Sequence, residues 1–128
     1  MDSMTADEFL FFEKQMPAFF LYEILKKKII ECFSQVNIQV KKTQISFSNK
    51  HLFACVSFQR VLRKSELPNP YIVLTLGLSY PLESPRVAVK TEPYPGRWTT
   101  HIVLGTADEI DDELVGWISA AYQFAEIK

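Results

Sequence analysis

The pattern of hydrophobic and polar positions is organised around the stretch from Gln39 to Phe58, QVKKTQISFSNKHLFACVSF. This stretch reads as two strands joined by a tight polar turn, Ser48-Asn49-Lys50-His51. Val40, Ile45 and Phe47 supply the first arm and Phe53 to Phe58 the second. Asn in the turn tolerates a left-handed backbone at little cost, and β-branched and aromatic residues flank it on both sides. Val40 is even-numbered while Ile45 and Phe47 are odd, so a bulge or bend at Lys41-Lys42-Thr43 is expected to restore one apolar face.

Upstream, the period lengthens to that of a helix. Thr5-Ala6-Asp7-Glu8 fits a capping box, and its acidic first turn suits the positive end of a helix dipole. Phe9, Leu10, Phe11 and Phe12 follow, too apolar for a free surface helix, and are expected to pack across the domain. Met16-Pro17 interrupts the pattern, and a second helix starts at Pro17 with a stripe at Leu21, Leu25, Ile29 and Phe33, widened by Tyr22, Ile24 and Ile30. Lys26-Lys27-Lys28 reads as a solvated run near the helix C-terminus.

Downstream, Tyr71 to Leu78 is the strongest strand, with Ile72, Leu74, Leu76 and Leu78 on one side and Val73 and Thr75 on the other. That pattern predicts a central strand covered at least partly on both faces. Arg86 to Thr91 is a fourth strand, Glu92-Pro93-Tyr94-Pro95-Gly96 a rigid connection, and Trp98 to Leu104 a fifth strand. Thr106-Ala107-Asp108-Glu109 repeats the capping-box pattern before a helical stripe at Ile110, Leu114, Trp117, Ile118, Ala121, Tyr122 and Ala125, and Gly116 is placed to let this helix sit close to the sheet. These elements predict a single α+β domain from about Ser3 to Lys128. Its sheet is about five-stranded and mainly antiparallel, with N-terminal helices and a C-terminal helix packed on one face.

A length of 128 residues is enough for a core without metal or disulfide staples. The net charge of -1 gives no global attraction to nucleic acid or anionic lipid. Cys32 and Cys55 lack CxxC spacing and read as buried, reduced thiols. No apolar run approaches the ~18 residues of a membrane span, so a cytoplasmic protein with no membrane contact is expected. Nucleotide loops, zinc motifs and nucleophile elbows are absent, so no cofactor or metal is expected. The carboxylates of residues 108–113 are accounted for by the helix start they occupy.

The polar residues that call for an account are Lys42 and Gln44 near one strand and Arg97 and His101 near another. If those strands meet, the four would converge on an anion, with Trp98 and Tyr94 as aromatic rims able to stack a ring.

The run FFLYEILKKKI, the strand KTQISF and the ending THIVLGTADEIDDELVGWISAAYQFA resemble the bacterial family described as domain of unknown function 5655 (DUF5655). The resemblance spans roughly residues 17–125 and implies a small α+β domain, alone or appended to others, with no established activity. Lys42, Gln44 and His101 match its polar positions. The family often has two adjacent histidines where this chain has Thr100-His101, which counts against a role needing both.

The leading reading is a non-enzymatic module that binds a small anionic ligand or a protein partner, with the Phe-rich N-terminus suited to self-association. The alternative is a nucleic-acid-binding domain using Lys26, Lys27, Lys28, Lys41 and Lys42. A third reading is an enzyme with His101 as acid/base near Lys42.

Overall fold

In the computed structural model, which describes residues 6–128, the expected central hairpin is part of a longer meander. The N-terminal side contributes α1 (Ala6–Phe11) and α2 (Met16–Cys32). Six strands follow: β1 (Asn37–Val40), β2 (Gln44–Ser48), β3 (Leu52–Ser57), β4 (Ile72–Leu78), β5 (Val87–Tyr94) and β6 (Arg97–Leu104). Helix α3 (Asp112–Ile127) closes the chain. The strands form one sheet in the order β1-β2-β3-β4-β6-β5, and every neighbouring pair is antiparallel. The fold is α+β, with six strands where the sequence suggested about five. The expected Thr5 cap and the Ser3 boundary lie outside the described residues.

The sixth strand explains the change of parity. Val40 pairs with Ile45, and Lys41 donates its N–H to the Gln44 carbonyl at 2.8 Å, so residues 41–43 reverse the chain rather than bulging it. The turn from β2 to β3 is closed differently from expectation. No non-glycine residue among those described has positive φ. Asn49 instead accepts the His51 N–H on its side-chain oxygen at 3.1 Å, and its amide donates to the Tyr122 carbonyl at 2.9 Å. The Pro-rich connection after the fourth predicted strand is itself strand up to Tyr94. Pro93 is tolerated because β5 is an edge, and the hairpin turns at Pro95-Gly96, where Gly96 adopts φ 75°.

Even-numbered residues of β4 face the helices: Ile72, Leu74, Leu76 and Leu78 are all fully buried with Ile45, Phe47, Phe53 and Ile102 from neighbouring strands. Against them pack Leu21, Tyr22, Leu25 and Ile29 of α2 and Leu114, Ile118 and Ala121 of α3, which bears out both helical stripes. Val73, on the other face, is also fully buried, as expected of a central strand. Phe12 is buried against Phe19, Tyr22 and Phe58, so the Phe-rich segment does pack, but only in part. Phe9 is 49% exposed, Leu10 64% and Phe20 69%.

Four local expectations are corrected. Cys55 is buried as expected, but Cys32 is exposed. Lys26 is not solvated: it is 3% exposed and its ammonium lies 2.9 Å from the carboxylate of Glu8, which also accepts from the Tyr22 hydroxyl. The Thr106 motif caps only a single turn at residues 107–109, with the Glu109 carboxylate accepting the N–H groups of Gly105 and Thr106. The cap of α3 is Asp111, which accepts the Leu114 N–H at 3.0 Å. That bond, and then Arg86 at 3.0 Å, hold the Asp111 carboxyl below its usual range. Arg86 also reaches Glu113 at 3.0 Å and lies over the Trp117 ring, so one guanidinium organises much of the acidic cluster. Finally, Gly116 is exposed and does not bring α3 closer to the sheet: a Cβ there would meet nothing within 4 Å. Gly116→Ala is therefore expected to stabilise the domain by about 0.5–1 kcal/mol through helix propensity, read as a raised midpoint in urea.

Candidate functional site

Helices α2 and α3 bury their apolar residues on one side of the sheet, which leaves the opposite side without cover from them, although Val73, Ser46, Cys55 and Ser57 on that side are buried. Side chains alternate along each strand, so this open face carries the residues between the core positions. They are Gln44 and Ser46 on β2, Cys55 and Ser57 on β3, Val73, Thr75 and Gly77 on β4, and Arg97, Thr99, His101 and Val103 on β6. The register aligns several of them. Ser46 pairs with Cys55, Cys55 with Thr75, and Thr75 with His101. A polar ladder therefore crosses four adjacent strands.

Its bonds lie within the face. The Gln44 amide donates to the Ser46 hydroxyl at 3.1 Å and to the Cys55 sulfur at 3.3 Å. At the far end, Thr75 Oγ1 lies 2.8 Å from His101 Nδ1. The hydroxyl donates when the imidazole proton is on Nε2 and accepts when it is on Nδ1. In either tautomer the contact orients the ring and leaves Nε2 for a ligand or solvent. Gly77 pairs with Thr99 one step along, and its place on the face is empty of side chain except for the ammonium of Lys128. That ammonium donates to the Leu52 carbonyl at 2.9 Å.

Of the residues singled out in the sequence, Gln44, Arg97 and His101 share this face. Arg97 and His101 are on one strand, about 13 Å apart, and Gln44 is about 15 Å from His101, three strands away. The two predicted strands are thus not neighbours, and the four polar groups do not converge on one atom-sized point. Lys42 is exposed in the turn between β1 and β2, beside Leu10, Phe11 and Gln44. Trp98 pairs with Leu78 and faces the helix side, so it does not rim the site. Tyr94 pairs with Arg97 across the β5–β6 hairpin and is 67% exposed. Ser46, Cys55, Thr75, Gly77 and Lys128 were not picked out beforehand. Their signal was the strand parity of small polar residues, which becomes readable only with the register.

A family model described as Domain of unknown function (DUF5655) matches residues 10–125. The chain belongs to the DUF5655 family. No curated protein and no solved structure matches it. Among the described residues of this DUF5655 domain, no helix is long and apolar enough to cross a membrane. In the DUF5655 sheet, position 100 points into the core, where Thr100 is fully buried, while His101 points outward. Two adjacent histidines here would lie on opposite faces, so only the second position serves the open one.

The electrostatics of the DUF5655 open face favour neutral groups at its centre. Burial pushes the Cys55 thiol up, against smaller opposing effects of the Ser46 hydrogen bond and the Lys41 charge. Cys55 is also two strand spacings from His101, about 10 Å, far beyond the ~3 Å contact of a Cys–His catalytic pair. Burial lowers the proton affinity of His101. The unfolded chain, with its histidine near pH 6.5, then takes up the proton first as pH falls. Any stability linked to His101 is complete above about pH 6.5 and declines as pH drops through that value toward the lower folded one. His101→Gln is expected to flatten this part of a stability-versus-pH profile, measured as urea midpoints from pH 5 to pH 8.

Proposed function

We propose that this DUF5655 domain is a non-enzymatic cytoplasmic module that binds a small anionic ligand on the open face of its sheet. The observation that carries the reading is the Thr75–His101 pair on a face without cover from α2 or α3, beside Thr99 and Arg97 on the same strand. Ordered donors on a rigid sheet fix an oxyanion without induced rearrangement, and small side chains leave room for it. Tyr94 at the hairpin end can cover one edge of a bound ring. The thiol–imidazole separation weighs against covalent chemistry. The burial of Lys26 removes one cation from the basic set that a nucleic-acid surface would use.

A thermal-shift panel of nucleotides, sugar phosphates and organic acids tests the reading. The expected result is a ligand that raises the melting temperature of the wild-type protein and fails to do so with His101→Ala and Thr75→Val. A ligand at a hundred times its Kd stabilises by about 2.7 kcal/mol, easily resolved. If every ligand that shifts the wild type shifts both variants equally, the open face is not the site.

The exposure of Phe9, Leu10 and Phe20 supports a second reading, in which this apolar patch joins two copies of the chain. Sedimentation velocity should then show a dimer that dissociates in Phe20→Glu. A monomer across the accessible concentration range counts against it.

A further inference from the structure

Gly77 has no conformational reason to be glycine. It lies inside β4, a central strand, and its φ is not in the left-handed region; among the described residues only Gly96 has positive φ. It has no packing reason either. A Cβ at position 77 would meet one atom within 4 Å, the Lys128 ammonium at 3.6 Å, an ordinary contact with the mobile end of a long side chain. Glycine inside a strand weakens it by entropy and by leaving nothing to pack, so a residue with a Cβ would serve this strand better. What the missing side chain leaves is room beside the Lys128 ammonium near the end of β4.

The groups around that space are cationic and donating. Lys128 brings its ammonium to the open side at Gly77, anchored on the Leu52 carbonyl at 2.9 Å and 5.5 Å from the Phe124 ring centroid. Thr99 is the cross-strand neighbour of Gly77, and Arg97 lies two residues further along the same face of β6. On the other side of Thr99 stands His101, held by Thr75. Among the described residues neither Lys128 nor Arg97 has a carboxylate within ion-pair distance. Burial, and then repulsion by the Arg97 charge, lower the proton affinity of Lys128. An anion between them relieves that repulsion and fills the gap.

We infer that the gap over Gly77 is the seat of an oxyanion, the phosphate of a small phosphorylated ligand, held between Lys128 and Arg97 with the Thr99 hydroxyl beside it. This rests on the anion-binding reading above and adds where the charged group sits and what it is. With the phosphate over Gly77, the remainder of the ligand lies toward His101 and Thr75 on one side or Tyr94 on the other.

The decisive variant is Gly77→Val, because folding and binding should move in opposite directions. Valine improves the strand and fills the seat. The probe is inorganic phosphate, titrated to about 50 mM at constant ionic strength, enough to fill a site of millimolar Kd. Binding is followed by the amide ¹⁵N–¹H shifts of residues 77, 99 and 101. The wild type is expected to show saturable shifts there. Gly77→Val should melt at a higher temperature yet lose them, and Lys128→Gln and Arg97→Gln should each weaken binding by roughly three- to tenfold. No saturable shift in the wild type, or a Gly77→Val protein that binds phosphate as well as the wild type, overturns the inference. A panel ligand that depends on His101 but is indifferent to Gly77→Val would overturn it while leaving the wider anion-binding reading in place.

Discussion

Lys26→Met is expected to destabilise the domain by about 3 kcal/mol, because it strips the ammonium from a carboxylate that stays buried. Glu8 is 1% exposed and Lys26 3%, and they meet across the α1–α2 corner at 2.9 Å. Tyr22, fully buried, donates to the same carboxylate. A surface pair of this length would contribute little, since solvent and side-chain entropy offset it. Here the geometry is enclosed, so removing the ammonium leaves a buried carboxylate that keeps its Tyr22 hydroxyl but loses this cation. Urea denaturation of the single variant and of Glu8→Gln/Lys26→Met separates the two effects. The double variant should recover part of the loss, because both charges of this pair are then gone. A single variant within about 0.5 kcal/mol of wild type would mean that this ion pair contributes little and that ring contacts such as Phe9–Phe19 and Phe11–Phe58 matter more in holding α1.

Phe53→Ala is expected to cost about 4 kcal/mol, a large share of what a domain of this size has to lose. Phe53 is 1% exposed at the start of β3 and joins the two halves of the aromatic core. Its ring lies 5.1 Å from Tyr122 of α3, 6.2 Å from Phe33 beyond α2, and 6.5 Å from Phe47 on the next strand. Tyr122 in turn stacks on Phe33 at 4.5 Å and donates its hydroxyl to the Gln35 carbonyl at 2.9 Å. Truncation therefore opens a cavity whose walls belong to α3, the segment after α2 and the sheet, and rigid walls relax little. Phe53→Leu should retain most of the stability. If the alanine and leucine variants unfold at the same denaturant concentration, the site collapses more freely than this packing implies.

The sequence carried the architecture because burial repeats with the period of each element. The stripes of α2 and α3 and the even positions of β4 were readable without any tertiary information. What remained hidden depended on contacts between segments distant in the chain. Lys26 sits in a run of three lysines, and only the return of α1 with Glu8 shows that one of them is internal. The parity change between Val40 and Ile45 was visible, but a bulge and a three-residue turn explain it equally well until the pairing is known. Arg86 looked like the start of a strand, and its carboxylate partners stand more than twenty residues away. The open face was half legible. Gln44, Arg97 and His101 were marked by their chemistry, whereas Thr75 and Gly77 mattered only through what the register set beside them. Trp98 lies with Ile102 on the face opposite His101, as strand parity requires, and that parity is incompatible with the rim role expected of it.

The strand order has a consequence for how the chain reaches this structure. From β1 to β4 each strand lies beside its immediate successor, and β5 and β6 form a hairpin of their own. Only the β4–β6 pairing passes over an intervening strand. Loop-closure entropy rises with the length of chain that must be looped, so most of this sheet assembles through short, inexpensive closures. The costly closures bring α3 back to the N-terminal part of the chain, as where Tyr122 meets Gln35, between α2 and β1, across 87 residues. Sheet formation is thereby separated from helix docking, and variants of Tyr122 should speed unfolding more than they slow folding.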